Sequence, residues 1–405
     1  MDRIYLDNNA TTRPDDAVAA AVDAAQRTLW ANPSSVHRFG QEVRQRVELA
    51  RRDVSELIGA PARGVVFTSG GTEANNLALH GVLDGGGTLI TTAIEHAAVR
   101  EPAEALVKAG VRVVELPLGP GGVVDPDDLS AALANARNAG VSGPTLVSVM
   151  WANNETGVIQ PIAALAAAVA DARRTAAAAG GRPPIWLHTD ATQAVGKLPV
   201  DVAAAGIDLL SCAAHKLHGP KGVGALYVAP AVRLRAVQRG GPQERERRGG
   251  TENVPAVIGF GVAAALAAAL VVDADRVAQV TVLRDRLEQR VRAARPGVVV
   301  NGAGVPRLGN TSNLGFRGLL AEAILLGLSE RGVCASAGAA CSSGSLEPSP
   351  VLRAMGVEEA VAHGSVRLSL SRETTEAEVD AAAEALVAVV GRLSKYEVRS
   401  VKSEV

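Results

Sequence analysis

The chain has 405 residues, of which 47% are hydrophobic but only 2% aromatic, with 41 basic against 42 acidic side chains. That length bounds it at roughly two to three structural units, and a net charge of −1 with both signs interspersed argues against a nucleic-acid or polyanion binder. No apolar run reads as a membrane span, the opening Met1-Asp-Arg-Ile-Tyr-Leu-Asp7 does not read as a signal peptide, and three cysteines are too few for a disulfide framework, so free thiols in a reducing cytoplasm are expected.

Two amphipathic helices are predicted first, over residues 15–29 and 40–58. Short apolar runs then alternate with helical stretches. The predicted strands are 65–67, 88–92, 111–116, 145–150, 185–188, 207–210 and 223–228, and helices at 72–83, 97–109 and 162–179 follow several of them. This alternation predicts an α/β unit with a mainly parallel sheet and helices on both faces. The loop between the last two strands is too short for a helical crossover, which predicts one antiparallel strand. Residues 176–184 read as a surface extension. Beyond the Arg/Glu/Gly-rich stretch 240–253 the pattern changes to a long helical region over 254–294, short strands near Val298, Ser312 and Val366, and a final helix from about Thr375. A smaller α+β unit is therefore placed from about residue 255 onward.

The chemistry-bearing motifs fall mostly at strand ends. In Phe67-Thr-Ser-Gly-Gly-Thr-Glu-Ala-Asn75 an apolar strand runs into a glycine turn and a helix, so backbone N–H groups near Gly71 and Thr72 are available to a phosphate; an ordinary turn with Thr72 as cap is the alternative. Asp190, in Trp186-Leu-His-Thr-Asp-Ala-Thr-Gln193, sits where α/β sheets place ligands and suits a pyridinium partner, with Gln193 available to a ring oxygen; a plain helix cap competes with that reading. Lys216 follows another strand in Ser211-Cys-Ala-Ala-His-Lys216, and a partly desolvated lysine there can form a Schiff base. His96 ends a further strand, where an imidazole can stack on a ring and shuttle protons. Cys341 lies among Gly, Ala and Ser, the composition of an accessible, movable thiol loop, whereas Cys212 and Cys334 read as buried structural residues. Arg367 and Arg372 flank Leu-Ser-Leu-Ser, and either guanidinium suits an amino-acid carboxylate.

Together with Tyr5-Leu-Asp-Asn-Asn-Ala-Thr-Thr12, Asn32-Pro-Ser-Ser-Val-His37, Ser148-Val-Met-Trp-Ala-Asn-Asn-Glu-Thr-Gly157, Arg248-Gly-Gly-Thr-Glu-Asn253 and Cys341-Ser-Ser-Gly-Ser-Leu-Glu-Pro-Ser349, these motifs make the chain resemble the cysteine desulfurases of the nitrogen-fixation and iron–sulfur-cluster type. The resemblance runs in order over nearly the whole chain. It implies a fold-type I pyridoxal-phosphate enzyme of the class V aminotransferase group, working as a homodimer, with a seven-stranded sheet. It also implies a large cofactor domain over 15–254 and a small domain formed by 1–14 and 255–405. Carried over by position, Lys216 is the Schiff-base lysine and His96 stacks on the ring, while Asp190 and Gln193 hold the ring nitrogen and hydroxyl. Gly71, Thr72 and His215 bind the phosphate, and Thr251 does so from the other subunit. Asn154 contacts the cofactor and, with Arg372, holds the carboxylate of L-cysteine. Cys341 receives the sulfur as a persulfide, passes it to an iron–sulfur scaffold or other acceptor protein, and is implied as a transient iron–sulfur ligand shared with that scaffold.

The chain departs from the resemblance at Ala213, where many relatives carry a phosphate-binding serine, so either a hydrogen bond is missing or another donor replaces it. Two competing readings are a related pyridoxal-phosphate lyase or aminotransferase, including a selenocysteine lyase, which needs no acceptor cysteine, and a catalytically silent scaffold, which needs neither Lys216 nor Asp190.

Overall fold

The computed structural model describes residues 3–178, 180, 184–338 and 347–401, the side chains of 396–401 aside. The chain begins with strand β1 (Ile4–Tyr5) and helices α1 (Asp16–Thr28) and α2 (Arg38–Leu57). Strands and helices then alternate as β2 (Val65–Thr68), α3 (Gly71–Leu83), β3 (Thr88–Thr92), α4 (Ala97–Lys108), β4 (Arg112–Leu116), α5 (Pro126–Asn138), β5 (Thr145–Ser148), α6 (Ile162–Ala178) and β6 (Ile185–Asp190), followed by β7 (Leu209–Ala213) and β8 (Gly224–Val228). The rest comprises α7 (Val254–Val271), α8 (Ala274–Ala294), β9 (Val299–Val300), β10 (Thr311–Gly315), α9 (Ala321–Ser329), β11 (Val333–Cys334), α10 (Pro350–Ala354), α11 (Glu359–Ala362), β12 (Ser365–Ser369) and α12 (Glu376–Val401). Many helices start at a side-chain cap the sequence supplies, such as Asp15, Asp125 and Asp273, each accepting a first-turn N–H.

Seven strands form one sheet in the order β2-β8-β7-β6-β5-β3-β4, in which only β8 runs antiparallel to its neighbours. This is the predicted mainly parallel sheet with one reversed strand. Apart from the edge strand β4, with exposed Arg112 and Glu115, the strands are largely buried because helices cover both faces. One core layer packs α1, α2, α5, α6 and α7 on one face, and a second packs α3 and α4 on the other. Chain order reverses between β3 and β5, and ligands bind outside the carboxyl ends of parallel strands at such a point. A separate core joins Leu6 to residues of α8, α9, β10, β12 and α12, where β9, β10 and β12 make a three-stranded antiparallel sheet and β1 pairs parallel with β11.

Three expectations need correction. The boundary near residue 255 fails because α7 belongs to the large core: Gly259 abuts Val22 of α1 and Gly261 abuts Ala50 of α2, at distances no Cβ could share. The predicted helix over 254–294 is accordingly two, and the second carries Leu283, Leu287 and Val291 into the smaller core. The same α7 is long and apolar enough to cross a membrane by length and composition, contrary to the sequence reading, yet half of it is buried against this protein's own helices. A helix apolar all round is what a core position demands.

Candidate active site

Because β2, β3, β5, β6 and β7 all run the same way, the residues that follow them meet at one edge of the sheet. A cleft of about 450 Å³ opens there, lined by Gly71 and Thr72 after β2, His96 after β3, Asn154 after β5, Asp190 and Gln193 at the end of β6, and His215 and Lys216 after β7. Its volume is in the range of small-molecule sites.

Each group is fixed locally. Asp190 is buried; its Oδ2 accepts from Asn75 Nδ2 at 2.7 Å and its Oδ1 from the Thr192 backbone N–H at 2.9 Å, so it makes a turn at the strand end and also lines the cleft. His96 caps α4, its Nδ1 accepting from the Ala98 N–H at 3.0 Å. Burial pushes its pKa down, and protonation of Nδ1 would break the cap, so the ring is neutral with its proton on Nε2. Gly70, not Thr72, is the N-cap of α3, with no side-chain capping bond. Lys216 Nζ donates to the carbonyls of Asn9 and Ala10 at 2.6 and 2.9 Å. Burial and the nearby lysines push His215 down to about 4.

The opposite wall comes from the small core. Arg367, in mid-β12, donates through Nη2 to Asp7 Oδ1 at 2.6 Å and through Nη1 to the Asn154 carbonyl at 3.0 Å, and it lines the cleft. Arg372 does not. It pairs with Asp15 at 2.6 Å and borders a separate cavity of about 100 Å³ with Lys197 and His218. The expected carboxylate ligand Arg372 is thus not brought to the cleft; the guanidinium that is brought there is Arg367, on the other side of the same Leu-Ser-Leu-Ser. Thr251 is exposed and lies outside the cleft of its own chain. Cys341 lies outside the described residues; the described residues Gly338 and Pro350, on either side of it, line the cleft. Cys212 is buried and its thiol is pushed up to about 12, so it is inert at neutral pH.

Three residues passed over by sequence reasoning complete the site. Asn9 accepts from Lys197 Nζ and Asn310 Nδ2, both at 3.1 Å, and donates to the Asn154 carbonyl at 3.1 Å and Thr311 Oγ1 at 2.9 Å. Lys197 also donates to Gln193 Oε1, which turns the Gln193 amide so that its NH₂ is the donor; burial, with Lys216 and Arg367 nearby, holds that ammonium well below its ordinary pKa. Glu95 takes N–H and O–H donors from Met150 and Thr92 on one oxygen, and burial raises it to about 8, so it is largely protonated at neutral pH. Asn9 sits in a motif that carried the resemblance, which was its only sequence signal.

The cleft has the character of a polar host. Five buried polar atoms on its lining residues have no hydrogen-bond partner among the described residues: Asn75 Oδ1, Glu95 Oε2, Arg100 Nε, Thr192 Oγ1 and Arg367 Nε. Buried polar groups are otherwise nearly always paired. At the start of α3, a Cβ on Gly71 would come within 3.1 Å of Thr192 Oγ1, whereas a Cβ on Gly70 would meet nothing within 4 Å. That leaves the first-turn N–H groups open to an anion. Among the described residues no group of three or more His, Cys, Asp or Glu side chains could hold a metal.

The aminotransferase class-V family profile matches residues 4–382. The chain is 46% identical over 397 residues to cysteine desulfurase 2 of Trichormus variabilis, covering 97% of this chain and 94% of that protein. It is 43% identical to the cysteine desulfurase NifS of Azotobacter vinelandii, with the same coverage of both. A solved NifS-like protein from Rickettsia africae superposes with a TM-score of 0.83 at 30% identity, over 96% of this chain and 99% of that one.

Proposed function

The chain belongs to the aminotransferase class-V family and, within it, to the cysteine desulfurases, and from that membership we propose how its cleft takes sulfur from L-cysteine and leaves L-alanine. The enzyme depends on pyridoxal phosphate. The observation that carries the proposal is the convergence of Lys216, Asp190 and His96 on one cleft whose unpaired polar atoms fit a polar guest.

Bound pyridoxal phosphate supplies an electron sink for the carbon that loses a proton. Asp190 would hold its pyridine nitrogen, Gln193 its ring oxygen, Lys216 its aldehyde carbon, and Gly71, Thr72 and His215 its phosphate, with Asn154 alongside. The two hydrogen bonds that Asp190 accepts fix the orientation of its carboxyl group at the cleft. Arg367 takes the carboxylate of L-cysteine through charge-assisted hydrogen bonds, and this orients the Cα–H bond for Lys216, the group that moves the proton at Cα. Neutral His96 presents Nε2–H as a donor to the substrate sulfur. The thiolate of Cys341 attacks that sulfur: the S–S bond forms, the C–S bond breaks, and the electron pair left on carbon takes up a proton. The products are a Cys341 persulfide and alanine. The position of Gly338 and Pro350 on the cleft supports Cys341 as the acceptor.

We propose further that two copies act together, with Thr251 of each reaching the other's phosphate site; its exposure and its distance from its own cleft support this. The persulfide passes to an iron–sulfur scaffold or other acceptor protein, with Cys341 as a transient iron–sulfur ligand shared with the scaffold, in the cytoplasm. The deciding experiment measures alanine and sulfide formed from L-cysteine and a thiol reductant. Equal yields from the parent and near-loss in Cys341→Ala support the persulfide route. Equal turnover in both removes Cys341 from the mechanism.

A further inference from the structure

Thr192 combines three features. Its hydroxyl oxygen is buried with no hydrogen-bond partner among the described residues, and the residue is one of those lining the cleft. It faces the start of α3, 3.1 Å from the point a Gly71 Cβ would occupy, and the Ala213 methyl lies 3.6 Å from that same point. Its backbone is pinned, because the Thr192 N–H donates to Asp190 Oδ1 at 2.9 Å. The hydroxyl is thus a prepositioned donor without an acceptor, beside Ala213 at the end of β7, which offers only a methyl group to the glycine turn. An unpaired buried hydroxyl costs free energy unless a partner arrives.

We infer that the Thr192 hydroxyl donates a hydrogen bond to the phosphate of pyridoxal phosphate and replaces the contact that Ala213 cannot make. This rests on the proposal that the phosphate sits at Gly71 and Thr72. The two side chains come from adjacent strand ends, β6 and β7, so a donor lost from one is recovered from the other without moving the backbone.

The test is equilibrium titration of the cofactor-free protein with pyridoxal phosphate and, separately, with pyridoxal, which lacks the phosphate, read by absorbance of the bound ring. A hydrogen bond to a charged acceptor is of a size that Thr192→Val should weaken pyridoxal phosphate binding about tenfold or more. Pyridoxal binding should not change. Thr192→Ser should bind like the parent, and adding Ala213→Ser to Thr192→Val should recover the loss. The melting temperature of the cofactor-free Thr192→Val protein should match the parent's, because the hydroxyl has no partner there to lose. Affinity for pyridoxal phosphate within about twofold of the parent, or an equal loss toward pyridoxal, overturns the inference. If the parent itself binds pyridoxal as tightly as pyridoxal phosphate, the placement of the phosphate at Gly71 and Thr72 is what fails.

Discussion

On the sheet wall of the cleft, Asp190, His96 and Lys216 each sit at or just past the end of a buried parallel strand, and the first two are held by neighbours on the same sheet or helix, Asn75 and Thr192 for one and Ala98 for the other. On the facing wall Arg367 projects from the middle of β12, and its partners Asp7, Asn154 and Gly338 come from three distant stretches of chain. Backbone pairing across seven strands fixes the first wall. On the second, pairing of β12 with β10 fixes the backbone, and the guanidinium is aimed by bonds to those three segments. The difference separates two tasks: the rigid wall of strand ends holds the groups that face a ring, and the facing wall holds a single group for the substrate.

Lys216→Ala should break the rigid wall's chemistry most. Alanine formation is expected to fall by about 10³-fold or more, the scale of a lost proton-transfer group, while absorbance spectra still report a bound cofactor held by Asp190 and the α3 turn. Survival of more than a tenth of the activity would move the proton transfer to another residue. The facing wall is tested by paired arginine variants. Arg367→Lys keeps the charge but loses the planar fork, and kcat/KM for L-cysteine is expected to drop by ~10–100-fold. Arg372→Lys should stay within about twofold, and the reverse result would restore Arg372 as the carboxylate ligand. His96→Asn keeps a side-chain acceptor for the α4 cap and removes the ring. Turnover should fall by about tenfold or more, with the melting temperature of the cofactor-free protein nearly unchanged.

The smallest effect concerns pH. His188, His215 and His218 are each pushed down to about 4 by burial. Between that value and 6.5 the unfolded chain binds more protons than the folded one, so stability rises with pH across that window. Glu95 is raised to about 8 by burial; the folded protein keeps that proton after the unfolded chain releases it near 4.5, so this contribution is lost as pH rises toward 8. Melting of the cofactor-free protein should therefore peak between the two limbs, and Glu95→Gln should flatten the alkaline one. An unchanged alkaline limb in that variant would show Glu95 ionised in the folded protein.

Much of the rigid wall was legible in the sequence because its residues follow apolar strands directly, and the physics that puts a ligand at parallel strand ends needs only local order. Arg367 and Arg372 could not be separated in that way. Both flank a strand-like run, and the choice depends on β12 being Ser365–Ser369, paired with β10, a register set by residues some 50 positions earlier. Helix α7 misled for a related reason: its apolar residues cover every face, so periodicity could not say which core it joins, and only the close approach at Gly259 and Gly261 decides. The roles of Asn9 and Lys197 were hidden because the bond that joins them spans 188 positions of the chain.

That remoteness has a temporal side. Asn9 bonds directly to residues 145, 184, 188, 207, 301, 302 and 360 positions later. At a ribosome's pace of about 5–20 residues per second, synthesis from Asn9 to Ser369 takes roughly 20–70 s. During that interval the parallel sheet has every strand it needs, while the segment that bridges the two walls must wait for its last partners to emerge. The cleft is therefore one of the last parts of the molecule to form in a growing chain, and the lysine at its centre lacks its full enclosure until synthesis has passed β12.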